Sequence, residues 1–116
     1  MNKLKNKVQL IGNVGQKPAI TNLEEGKKVA RVSLATNDSY KNSKGEKVTD
    51  TQWHTLVAWG GKVAELIEKY VDKGKEIAVE GKLTSRSYEG KEGNKKYVTE
   101  VIVSDILLLR SHENTL

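Results

Sequence analysis

The sequence predicts an all-β fold, a five-stranded barrel with one α-helix between its third and fourth strands. Two observations support this prediction. Short runs of alternating apolar and polar residues, separated by polar turn clusters, occupy most of the 116 residues. One segment breaks the alternation and carries its apolar residues at helical spacing. Three strands, one helix and two strands is the order of the OB-fold, a Greek-key barrel that binds oligonucleotides or oligosaccharides. The alternative fold, a β-sandwich, less often contains a single amphipathic helix.

Each predicted element is set by its own pattern of residues. The five strands are expected at Lys7–Gly15, Lys28–Thr36, Gln52–Trp59, a run through Ile77, Val79 and Leu83, and Tyr97–Val103. The helix is expected over Lys62–Val71, with apolar residues at 63, 66, 67, 70 and 71 and Gly74 as its stop. Polar residues from 37 to 50 and from 89 to 96 predict two long loops. Residues 1–110 are expected to form one domain, and 111–116 a short flexible end.

Composition limits the classes of function. The 20 Lys and Arg against 15 Asp and Glu leave a net charge of +5, which suits an anionic partner such as nucleic acid but indicates it only mildly. The sequence has no cysteine, which excludes disulfides and thiolate metal sites. No apolar run approaches the roughly 18 residues of a membrane span, and no apolar segment follows the basic start, so the predicted location is the cytoplasm without a membrane partner.

Aromatic residues are few, and their positions are informative. There are two Trp, four Tyr and no Phe, and the predicted core is aliphatic. Alternation places Trp53 and Trp59 on one face of the third strand, while Tyr40 and Tyr88 stand at the starts of the two polar stretches. One hypothesis is a stacking platform for nucleic-acid bases. The alternative is that a tryptophan lies in the core with its indole N–H bonded internally. Tyr70, on the apolar side of the helix, is expected to pack.

Positive charge is unevenly distributed around these aromatics. The first nine residues carry three lysines and no acid, and residues 85–97 carry a local excess of +2. The stretch 37–50 is neutral overall. We therefore expect the N-terminus and the second polar stretch to supply most phosphate contacts.

Motifs for catalysis are missing from the sequence. His54 and His112 do not have the spacing of metal ligands, and the glycines form no phosphate-binding motif. The carboxylates Asp38, Glu46 and Asp50 share one stretch, but their spacing does not force them together, and a solvated loop is the simpler interpretation. The sequence predicts a protein that is not an enzyme and that holds no metal or cofactor.

Six short runs resemble a known family, the bacterial single-stranded DNA-binding proteins. They are 13–18 (NVGQKP), 34–37 (LATN), 52–54 (QWH), 59–65 (WGGKVAE), 70–74 (YVDKG) and 79–83 (VEGKL). The runs keep the family's order and near-constant spacing from about residue 7 to residue 103. Six runs in register are far more specific than any one of them.

The resemblance implies a homotetramer of OB-folds with single-stranded DNA wound over its surface, acting in replication, recombination and repair. It implies base stacking by four aromatic residues, Tyr40, Trp53, Trp59 and Tyr88. It implies phosphate contacts by four basic residues, Lys7, Lys62, Lys73 and Arg86. It also places His54 near a subunit interface.

The sequence departs from the family's pattern in two ways. The family more often has Trp where Tyr40 and Tyr88 stand, so the platform is kept with smaller rings. Typical members also continue into a Gly/Pro/Gln-rich tail with an acidic tip that recruits repair and replication enzymes. This sequence stops at Ser111–Leu116 with one acid there, Glu113, and we therefore do not expect tail-mediated protein partners.

Two other functions remain open from the residues. An OB module directed at RNA would preserve the same platform, although the absence of Phe argues against the Phe/Lys-rich strands of cold-shock domains. An accessory OB subunit that mainly binds protein would keep its activity without Tyr40 and Tyr88. Competition between DNA and RNA oligomers tests the first alternative. A variant with both Tyr40 and Tyr88 replaced by alanine tests the second.

Overall fold

The structure, a computed structural model, describes residues 3–111, with side chains described for residues 4–109. Residues 112–116, including His112 and most of the predicted flexible end, lie outside the described residues. The strands and the helix are, in order, β1 Val8–Val14, β2 Ala19–Asn22, β3 Lys28–Lys41, β4 Lys47–Trp59, α1 Gly61–Tyr70, β5 Lys75–Glu89 and β6 Lys95–Ser111. Short 3-10 turns lie at Lys3–Lys5 and Glu24–Gly26.

Five of these strands close into a barrel. β1 pairs with β5, β5 with β6, β6 with β4, and β4 with β3. The end of β1 returns to β3, where Asn13 faces Ala35 and Val14 faces Leu34. The β4–β6 pairing is parallel and the others are antiparallel. The predicted OB-fold barrel is confirmed, with α1 between the third and fourth barrel strands, β4 and β5.

The short strand β2 was not predicted from the sequence. It pairs with the first residues of β3, Lys28–Arg31, and contributes no further barrel strand. Four residues after a proline carry too little alternation to be recognised as a strand.

An aliphatic core fills the barrel. On β3 the inward residues Ala30, Val32 and Leu34 are buried, as alternation predicted. The largest fully buried side chains elsewhere are Leu56, Ile67 and Ile77. No Trp or Tyr with a described side chain is buried, so the core consists of Val, Ile, Leu and Ala.

The helix α1 covers the barrel core through Ala64 and Ile67. It ends at Tyr70 and not near Gly74, because Val71 turns into an extended conformation and becomes buried. Gly74 instead donates its backbone N–H to Val14 O at 2.8 Å, next to the start of β5. Within the described residues, no helix is long and apolar enough to cross a membrane.

Both predicted polar loops are wrong in extent, because most of their residues are paired strand. β3 and β4 remain in register out to the Lys41–Lys47 pair, and β5 and β6 out to the Glu89–Lys95 pair. Outside the barrel both faces of such a ribbon meet water, so polar residues can continue the strand. Cross-strand contacts such as Ser85 Oγ to Thr99 Oγ1, at 3.1 Å, accompany the backbone bonds.

A bulge bends β5 against β6. The register shifts between Glu80 and Gly81, and Ser104, the extra residue on β6, bonds through its hydroxyl to Glu80 O at 3.1 Å. A Cβ on Gly81 would lie 2.2 Å from Ile102 O, so only glycine permits this close approach. The bend lets the long β5 both close the barrel and extend past it.

Candidate nucleic-acid interface

Four adjacent strands, β5, β6, β4 and β3, present one continuous outward surface, which we call the outer sheet face. Its register is fixed by cross-strand partners: Arg31 faces Val57, Val57 faces Ile102, and Ile102 faces Lys82. By alternation, the outward positions are odd-numbered on β3 and β4, and even-numbered on β5 and on the part of β6 before its bulge at Ser104. Trp53, Trp59 and Tyr88 therefore share this face, as do Arg31, Arg86 and Glu100.

Trp53 lies on the outer sheet face over a glycine. It faces the small Ala35 across the β3–β4 ribbon and keeps 63% of its surface exposed. A Cβ on Gly15 would lie 2.4 Å from Trp53 Cζ3, so the indole rests where a side chain at residue 15 would be. This contact could not be predicted from the sequence, because it depends on the return of β1 to β3.

Trp59 and Tyr88 occupy two ends of the same face. Trp59 ends β4 opposite Val29 and is 61% exposed. Tyr88 lies near the tip of the β5–β6 hairpin, 47% exposed, beside an open cavity of about 530 Å³ that is also lined by Lys91 and Lys96. The alternative in which a tryptophan lies in the core is wrong for both tryptophans.

Tyr40 is exposed but points the other way. It faces Val48 in the β3–β4 register, which places it on the face of the ribbon opposite to Trp53 and Trp59. The side chain is 57% exposed, because the ribbon extends beyond the barrel there. A strand that used both Tyr40 and Trp53 of one protomer would have to pass around the ribbon.

The four predicted basic residues are all exposed and lie on different parts of the fold. Lys62 lies in the first turn of α1, and Lys73 lies between α1 and β5. Lys7 forms an ion pair with Glu80 at 3.2 Å, so its charge is partly balanced. Arg86 lies on the outer sheet face two residues before Tyr88.

A buried carboxylate on this face, Glu100, was not predicted from the sequence as part of the site. Glu100 is 5% exposed, and its Oε1 accepts from Arg86 Nε at 3.1 Å. Its Oε2 accepts from Arg31 Nη1 at 3.1 Å and from Arg86 Nη2 at 3.4 Å. Alternation within Tyr97–Val103 could have placed Glu100 opposite the core residues, but its partners depend on the strand order.

The two arginines govern the protonation of Glu100. The hydrogen bond from Arg86 lowers its carboxyl pKa below the ordinary 4.5, and the charges of Arg86 and Arg31 act in the same direction. Burial opposes this by raising the pKa, but the net direction is downward. The carboxylate therefore stays ionised at neutral pH.

Three other residues with rings, His54, Tyr70 and Tyr97, lie off the outer sheet face. His54 is half-buried, and its Nε2 lies 2.9 Å from Thr36 Oγ1 within the same protomer. Tyr70, expected to pack, is 52% exposed, and Tyr97 is 75% exposed. Among residues 3–111 no group of three or more His, Asp or Glu side chains could hold a metal ion.

The model of the single-strand binding protein family matches residues 5–109, nearly the whole chain. The chain belongs to the single-strand binding protein family. The family resemblance drawn from the six short runs is thereby confirmed.

Curated members of the single-strand binding family match the chain over most of its length. A protein named single-stranded DNA-binding protein 1 from Xylella fastidiosa is 43% identical over 105 residues, which are 90% of this chain and 76% of that protein. The single-stranded DNA-binding protein of Rickettsia prowazekii is 39% identical, over 95% of this chain and 75% of that protein.

Solved structures agree with the single-strand binding fold. The structure of a Plasmodium falciparum SSB complex with ssDNA has a TM-score of 0.81 at 38% identity, covering 90% of this chain and 95% of that chain. A deletion mutant of the single-stranded DNA-binding protein from Thermus aquaticus has a TM-score of 0.77 at 28% identity, covering 96% of this chain and 53% of that one.

Proposed function

We propose that this chain binds single-stranded DNA without strong sequence preference and protects it during replication, recombination and repair. The bases would stack on four aromatic residues, Tyr40, Trp53, Trp59 and Tyr88. The phosphates would contact four basic residues, Lys7, Lys62, Lys73 and Arg86. The observation that carries the proposal is the exposure of those aromatics, between 47% and 63%, on a barrel with an aliphatic core.

An exposed aromatic ring offers its face to a DNA base. An aromatic side chain in the core would bury apolar area, whereas these side chains leave theirs in contact with water. A DNA base covers such a ring with its own π-face, and stacking contributes about 1–3 kcal/mol per base whatever the base is. Nearby lysines and arginines bind the backbone, which carries no sequence information. Binding requires no chemical step, which fits a protein that is not an enzyme.

A homotetramer in the cytoplasm, associated with the nucleoid, is part of the proposal. Several copies multiply the contacts along one strand through effective concentration. The exposed apolar residues Ile11, Leu107 and Leu109, on β1 and β6, support an interface between copies. His54 is proposed to lie near a subunit boundary. Light scattering should give four times the 12.9 kDa protomer mass, and a monomer would contradict the tetramer.

The stacking proposal is tested by replacing one ring at a time. Trp53→Ala should raise the Kd for oligo-dT by roughly 5–150-fold, the equivalent of about 1–3 kcal/mol. Trp53→Phe should recover most of the affinity, since it keeps a ring. The control Leu23→Ala, which removes an exposed apolar residue from a turn, should leave the Kd unchanged.

An unchanged Kd for Trp53→Ala and for Tyr88→Ala would contradict stacking on these rings. Matched DNA and RNA oligomers in competition test the substrate class. Preference for the RNA oligomer would favour the alternative of an RNA-directed OB module.

A further inference from the structure

The outer sheet face carries a fixed arrangement of three charged groups between its stacking aromatics. Arg31 is on β3, Glu100 on β6 and Arg86 on β5. β4 lies between β3 and β6, so the Arg31 side chain crosses β4 to reach Glu100. Val57, the β4 residue opposite Arg31, points outward and is nevertheless only 1% exposed, which agrees with a side chain lying across it.

The carboxylate is buried, but the guanidinium groups are not. The Glu100 side chain is 6% exposed, whereas those of Arg31 and Arg86 are 44% and 52% exposed. A guanidinium has five N–H donors. Within residues 3–111, Glu100 takes one donor from Arg31 and two from Arg86, which leaves donors on both for another anion.

The positions of the two arginines match a path for a nucleic-acid backbone. Arg86 is two residues from Tyr88 on the same face, and Arg31 faces Val57, two residues from Trp59. An open groove of about 240 Å³ lies beside Arg31 and is also lined by Lys17. Two arginines against one carboxylate leave a net charge of +1 on the surface above Glu100.

We propose that Glu100 is a positioning residue for DNA binding, and that Arg31 is a phosphate contact. Glu100 holds the guanidinium groups of Arg31 and Arg86 at fixed places on the outer sheet face, where both bind phosphates of one single strand. This inference rests on the proposed function. Its physical basis is preorganisation: a long, flexible arginine that is already held loses less conformational freedom when the phosphate binds.

Charge counting and preorganisation predict opposite results for Glu100→Gln. The substitution adds one unit of net positive charge, so charge alone would tighten binding to oligo-dT. Preorganisation predicts weaker binding, with the Kd raised about fivefold or more. Glu24→Gln makes the same charge change in an exposed turn, and should leave the Kd unchanged or slightly lower. All titrations are made at a temperature where circular dichroism shows each variant folded.

A double-mutant cycle on Arg31 and Glu100 measures DNA binding. An ion pair with a purely structural role would not change that binding. Arg31→Gln should weaken binding and make the dependence of log K on log[salt] shallower by about 1, the contribution of one phosphate contact. In the Glu100→Gln background, Arg31→Gln should reduce the affinity for oligo-dT by a smaller factor, because Glu100 no longer holds the guanidinium in place. Arg31→Gln keeps the Glu100–Arg86 pair, so it tests the contact even if Glu100→Gln fails to fold.

Tighter or unchanged binding by folded Glu100→Gln, or an unchanged Kd and salt slope for Arg31→Gln, would overturn the inference. Failure of the proposed function is distinguishable, because then the unmodified protein would not bind oligo-dT. Suppose that the unmodified protein binds oligo-dT and that Trp53→Ala weakens this binding. If Glu100→Gln and Arg31→Gln then leave it unchanged, only the inference fails.

Discussion

At the scale of single residues, the contact between Trp53 and Gly15 links barrel closure to the stacking surface. Gly15 donates its N–H to Ser33 O at 2.9 Å, which holds the end of β1 against β3. The indole occupies the space above it, so the ring is supported on one side and exposed on the other. Alternation along β4 predicted the face of Trp53, but not the glycine under it, because the two residues meet only after the barrel closes.

Gly15→Val should displace the Trp53 ring, because the Cβ site lies 2.4 Å from Cζ3. We expect weaker oligo-dT binding and a shifted tryptophan emission in the free protein. In a Trp53→Ala background the same substitution should have little further effect on the Kd. Equal losses of affinity with and without the Trp53 ring would show that Gly15 acts through something other than that ring.

Glu100 makes stability depend on pH in a defined direction. The pKa of Glu100 in the folded protein is lowered below the ordinary 4.5, so the ionised carboxylate stabilises the fold above that pH. This stabilisation is lost as the pH falls through the folded pKa. The difference in free energy of unfolding between the unmodified protein and Glu100→Gln should stay constant from about pH 7 to pH 5 and shrink at lower pH.

Urea unfolding of both proteins across that range provides the measurement. Glu24→Gln, which removes an exposed carboxylate, is the matched control for the change of charge. A difference for Glu100→Gln that shrinks already at neutral pH would contradict the lowered pKa.

At the scale of elements, the two ribbons that extend from the barrel carry exposed aromatics beyond the core. The sequence predicted the parts of β3, β4, β5 and β6 that face the core, because burial imposes alternation there. It did not predict their extensions, since a ribbon with two wet faces has no apolar pattern. The site residues divide in the same way. The exposed rings could be predicted from the sequence, whereas the Arg31–Glu100–Arg86 arrangement depends on the order of the strands in the sheet.

Shortening the β5–β6 ribbon should separate binding from stability. Joining Ser87 to Tyr97 through Asn-Gly removes Tyr88 and the lysines near the tip, but no buried residue. We expect the free energy of unfolding to change little and the Kd for oligo-dT to rise. A matched extension, two extra Gly-Ser residues inserted at the tip, should preserve both. Unchanged affinity of the shortened protein would show that the tip takes no part in binding.

At the scale of the whole molecule, closure of the barrel fixes the relative positions of all the site residues. The order of strands and helix, and hence the OB-fold, was predictable from alternation and one helical segment. The parallel pairing of β4 with β6 was not, because Leu56–Val101 is a contact between distant parts of the chain. That pairing brings Glu100 within reach of Arg31.

Leu56→Ala should lower the free energy of unfolding by about 2–5 kcal/mol, because Leu56 is 1% exposed and its removal leaves a cavity. Leu23→Ala, at a side chain 42% exposed, should cost less than about 0.5 kcal/mol. Thermal or urea unfolding measures both. Equal costs would contradict the placement of the core.

The most direct test of base stacking on the two tryptophans is a fluorescence titration of the unmodified protein with oligo-dT at low salt. Trp53 and Trp59 are both exposed, so bases that stack on them should quench tryptophan emission, with saturable binding that weakens as salt is added. Duplex DNA of the same length should bind far more weakly. Tryptophan emission that stays unchanged at saturating oligo-dT would contradict the account.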